Sequence, residues 1–146
     1  ETLAFHRANW AVWVCRMVQS TAAERRRTRA ERLPRRGPVD LVHLTNQTLG
    51  DRGLELEVLR MFDVTARTYF SRIESSTSVD ELLRHLHTLK GAAAGIGAVA
   101  IRDLAAAAER DLREGKLVNP ERIDDIEMAV VECSAWIEGV LAAAEA

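Results

Sequence analysis

After Asn119-Pro120, the apolar residues Ile123, Ile126, Val130, Cys133, Ile137, Val140 and Ala144 recur at intervals of three and four, almost to the end of the chain. A helix with one apolar seam of this kind has to bury that seam against other helices. Asn is a good cap and Pro suits the first helical position, so the start of this helix is also marked.

The rest of the chain offers suitable partners. A short helix is predicted from Asp40 to Leu49, stopping at Gly50. Over 51–74, Val58, Leu59, Phe62, Ala66, Tyr69 and Ile73 fall on one face of a helical period. Ser78 with Glu81 three residues later forms a capping box that opens a helix over 78–96. Its expected buried stripe is Val79, Leu82, Leu86, Leu89, Ala93 and Ile96, and Gly95 and Gly97 are expected to end it. A further helix over 98–114 buries Ile101, Leu104, Ala105, Ala108 and Leu112, with Gly115 as its stop. Residues 2–33 read as one more amphipathic helix, broken by Pro34 and Gly37-Pro38. No strand signal, Gly-rich phosphate loop or internal repeat is present. The expected fold is all-α: an antiparallel four-helix bundle with an additional N-terminal helix.

Charge divides the chain at the same place. Residues 1–36 carry nine Arg against three Glu, while residues 37–146 carry 11 basic and 19 acidic side chains. The sequence thus predicts a basic, amphipathic helical extension over 1–36 and an acidic bundle over 39–146. Cys15 and Cys133 are far apart and follow no metal or redox spacing, which points to a reduced, cytoplasmic protein. The apolar run Trp10 to Cys15 is bracketed by Arg7 and Arg16 and is too short to span a bilayer.

Within the predicted 78–96 helix stands His87-Thr88-Leu89-Lys90-Gly91, followed by Ala92-Ala93-Ala94-Gly95. At about 100° per residue, His87 lies roughly 120° from the centre of the buried stripe, so its ring should reach solvent. Arg84 and Lys90 sit three residues to either side, and Gly91 lies one turn on along the same face. A neutral imidazole nitrogen is a competent nucleophile near pH 7. A neighbouring cation can pair with phosphoryl oxygens once they arrive. A residue without a side chain leaves room for a docking partner. Val64, opposite Phe62 on its helix, and Leu83 and Ala94, flanking His87, are the apolar residues expected to complete a docking patch.

The string His-x-Leu-Lys-Gly followed by small residues closely resembles the phosphorylation motif of histidine-containing phosphotransfer (HPt) domains. The resemblance spans roughly 39–145 and includes the order of helices. It implies that His87 is the phosphoacceptor through Nε2, that Lys90 contacts the phosphoryl group, and that Gly91 permits close approach. It also implies a phosphohistidine carrier without kinase activity or cofactor of its own, passing phosphoryl groups between aspartates of response-regulator receiver domains, which supply Mg²⁺. A hybrid histidine kinase is a second partner class. The chain departs from many members of that family at Ala92, Ala93 and Gly95, where Ser and Asn are common.

Two other functions fit less well. One is the phosphoacceptor domain of a chemotaxis-type histidine kinase, for which an ATP-binding domain would be expected after residue 146. The other is a non-catalytic helical adaptor using the cluster Arg25 to Arg36, which reads more simply as a solvated helix end than as a nucleic-acid surface. No metal is expected. His85 and His87 point to different faces, and His6 and His43 have no partnering spacing. Asp124, Asp125 and Glu127 lie near a helix start, where acids are favoured, and read as a solvated face.

Overall fold

The computed structural model describes residues 37–146. The expected helix over 2–33, with His6, Trp10, Trp13, Cys15 and the arginine cluster, lies outside the described residues. Among those described there are five helices: α1 (Leu41–Gln47), α2 (Arg52–Ser75), α3 (Val79–Ile96), α4 (Val99–Arg113) and α5 (Pro120–Glu145). None is long and apolar enough to cross a membrane.

Local chemistry sets the boundaries. The Asp40 carboxylate accepts from the backbone N–H of Val42 and His43, Asp51 from Leu54, and Asn119 from Glu121. Each satisfies donors that a helix start leaves without partners. At α3 the Ser78 hydroxyl accepts from Glu81 N–H, and the Glu81 carboxylate reaches back to Thr77 N–H and Oγ1. Those bonds from Thr77, backbone first, hold the Glu81 carboxyl below its ordinary range. Gly97 ends α3 in the left-handed region, with φ at 81°. A Cβ there would also come within 3.0 Å of Asp40 Cβ. Only Gly combines that backbone with so close an approach.

The four long helices form a ring in which α2 packs on α3, α3 on α4, α4 on α5 and α5 back on α2, with α1 laid across α2 and α3. Leu59, Phe62, Ala66 and Ile73 of α2 meet Leu86, Leu89 and Ala93 of α3, Ile101, Ala105 and Ala108 of α4, and Ile126, Val130, Cys133 and Ile137 of α5 in one core. Burial pushes the Cys133 thiol up to about 12, which leaves it inert as a nucleophile.

Several positions correct the sequence reading. Val79 is 41% exposed, because it is the first residue of α3 and stands at the bundle's end. Ala144 is exposed and Val140 only half-buried. A straight α-helix drifts about 20° per heptad from a strict seam, so the stripe of α5 turns away from its partners toward the C-terminus. Leu104 is half-buried. Gly95 lies within the last turn of α3, and Gly97 alone ends that helix. On α2 the core takes Phe70, while Tyr69 is half-buried at its edge.

Candidate functional site

His87 stands on α3 with its side chain 64% exposed, as its angle from the buried stripe requires. The hydrogen bonds of the ring show what lies beside it. Its Nδ1 is 3.0 Å from Oε1 of Glu109, which projects from α4. Lys90, one turn along α3, donates from Nζ to Glu109 Oε2. Arg113, one turn along α4, donates from Nη2 to Glu109 Oε1. The carboxylate is thus the hub of the site, with its side chain only 4% exposed.

Burial by itself would raise the Glu109 carboxyl above its usual range. The hydrogen bonds from Lys90 and His87, with the charges of Lys90 and Arg113, outweigh that effect and hold it below. Glu109 is therefore a carboxylate at neutral pH. A carboxylate only accepts, so the ring donates through Nδ1–H. In the neutral ring the lone pair then sits on Nε2. The arrangement leaves the in-plane Nε2 lone pair facing solvent, where it could act as a nucleophile, and fixes the ring's orientation from behind.

Leu83 is half-buried and packed on the core, while Arg84, Gly91 and Ala94 are exposed on the same side of α3 as His87. Apart from its chain neighbours and the adjoining backbone of α3, no atom of the described residues lies within 4 Å of where a Gly91 Cβ would be, so that surface is open. Val64 is exposed on α2. The contacts of α3 put α4 beside His87 and α2 beside His85.

His85 shows what its neighbour is not. Its ring meets the edge of Tyr69 at 6.0 Å between centroids, its Nδ1 is buried with no hydrogen-bond partner, and burial holds its imidazole below the ordinary 6.5. Arg72 covers the other ring of that pair, 4.9 Å from the Tyr69 centroid. Among the described residues, no three His, Cys, Asp or Glu side chains gather in a way that could hold a metal ion.

Glu109 is the residue that the sequence reading missed. A signal was there: it occupies a buried-stripe position, four after Ala105 and three before Leu112. A carboxylate in such a position needs partners, because an unpaired buried charge is costly.

A family model for the Hpt domain matches residues 57–143, which covers most of α2, all of α3 and α4, and nearly all of α5. No curated protein and no solved structure matches the chain. An all-helical bundle, a solvent-facing histidine on its second long helix and this match agree, and the chain belongs to the Hpt domain family.

Proposed function

We propose that this chain is a phosphorelay intermediate that carries a phosphoryl group on Nε2 of His87 and exchanges it with aspartates of receiver domains. One observation carries the reading: the exposed ring of His87 is anchored through Nδ1 by a buried carboxylate, with an ammonium group on the same carboxylate.

The step balances without a base. The Nε2 lone pair attacks the phosphorus of an aspartyl phosphate. The Nε2–P bond forms as the P–O bond to the aspartate breaks, and the bonding pair leaves with the aspartate carboxylate. The ring becomes an imidazolium that keeps its Nδ1 proton, and the negative charge of Glu109 lies against it. Lys90 pairs with the phosphoryl oxygens. Mg²⁺ belongs to the receiver and steadies the aspartyl end. The contribution of this chain is positioning and charge, as in phosphoryl transfer generally.

Leu83, Arg84, Gly91 and Ala94 supply the docking face around the ring, and a Val64→Glu variant tests whether that face extends onto α2. Incubation with a phosphorylated receiver and Mg²⁺ should place acid-labile phosphate on His87, and His87→Gln should accept none. A wild-type chain that takes no phosphate from any receiver of its source overturns the reading.

A further inference from the structure

Arg113 has no part in the reaction as written, yet its guanidinium holds the oxygen of Glu109 that also accepts from His87, while Lys90 holds the other. We propose that Arg113 is a positioning residue that keeps Glu109 paired while Lys90 leaves it for the phosphoryl group. The inference rests on His87 being the phosphoacceptor.

One ammonium cannot serve two anions at once. Before transfer Lys90 satisfies Oε2 of a buried carboxylate. After transfer a phosphoryl group with its own negative oxygens stands one turn away on the same helix. If Lys90 moved and nothing replaced it, Oε2 would be left buried without a charged partner, and removing one partner of a buried ion pair is costly. Arg113 removes that obstacle. Its fork of donors can span both oxygens of a carboxylate, and at present it engages one. Its side chain is 64% exposed, so it is free to pivot onto the vacated oxygen. Phosphorylation then proceeds as an exchange of partners: Lys90 passes to the phosphoryl group, and Glu109 keeps Arg113 and the Nδ1–H of His87. Neither cation gives up a proton.

The test uses the full chain and phosphoramidate, so that no receiver is needed. Nε2 attacks phosphorus, the P–N bond of the donor breaks, and ammonia leaves. The rate of uptake on His87 and the ¹⁵N shift of Lys90 Nζ are followed together. In the wild type the Lys90 signal should move on phosphorylation. In Arg113→Gln it should stay at its starting value, with uptake slowed about tenfold, the scale of one charge-assisted hydrogen bond. Arg113→Lys should recover part of the rate. A residue with a merely structural role would lower the melting temperature of Arg113→Gln and leave the Lys90 response untouched, and that result overturns the inference. So does wild-type uptake in Arg113→Gln. The functional reading fails separately: a chain that is phosphorylated by phosphoramidate, shows the Lys90 shift and takes nothing from receivers keeps the exchange and loses the relay.

Discussion

His85 and His87 are two residues apart on one helix and live in opposite physical worlds. His85 faces α2, wedged against Tyr69 with a buried nitrogen lacking a partner, and its ring is driven toward the neutral form by desolvation. His87 faces α4, mostly in solvent, with one nitrogen tied to a paired carboxylate and the other open. A turn of roughly 200° between alternate helical positions is enough to pack one imidazole and leave the other open to solvent. What sets the two rings apart is therefore supplied by the helix each one faces, because both share the same backbone.

Substitutions can break this contrast. The largest effect belongs to His87→Gln, which should fold normally and lose phosphoryl acceptance altogether, while His85→Phe keeps it; acid-labile phosphate assays on the two variants check this. If His85→Phe were the inactive one, the assignment of the two faces would be reversed. Glu109→Gln comes next. It leaves the ring exposed and removes the carboxylate that orients it, so uptake from a small phosphodonor should fall about 10- to 100-fold, the usual cost of losing a partner behind a working histidine. Stopped-flow or gel-based uptake rates read this directly.

Gly91 sharpens the contrast on the docking side. Gly91→Leu should slow transfer from a phosphorylated receiver about tenfold or more, because a small misplacement of reacting groups is expensive. Uptake from phosphoramidate should be unaffected, and equal slowing with both donors would show that Gly91 serves the helix alone. Gly91→Ala, by contrast, replaces a glycine inside α3 where a Cβ meets nothing, and should stabilise the fold by about 0.5–1 kcal/mol in denaturant unfolding.

The smallest effect concerns His85. The folded chain holds its ring below 6.5, whereas the unfolded chain titrates near that value. As pH falls through 6.5 the unfolded state takes up a proton that the folded state refuses, so stability is lost toward acid. The His85→Phe protein should show a flatter melting temperature on that limb than the wild type, and an unchanged slope would remove His85 as its cause.

Much of this was legible in the chain. The stripe Leu82, Leu86, Leu89, Ala93 and Ile96 fixed which side of α3 faces inward, and with it the exposure of His87. Caps at Ser78 and Asn119 placed two helix starts. What periodicity could not show is which neighbour each flank of α3 meets. That depends on the order of helices around the ring, and so Glu109, 22 residues from His87 in sequence, escaped notice. The fates of Val79 and Ala144 depend on where the bundle stops burying a seam, which a repeat in one helix does not specify.

The most direct measurement is the pair of ¹⁵N signals from the His87 ring at neutral pH in the unphosphorylated chain. A proton on Nδ1 and a bare Nε2, with the pattern lost in Glu109→Gln, is what the anchored ring predicts. A proton resident on Nε2, or two tautomers in balance that ignore the Glu109 substitution, would contradict it.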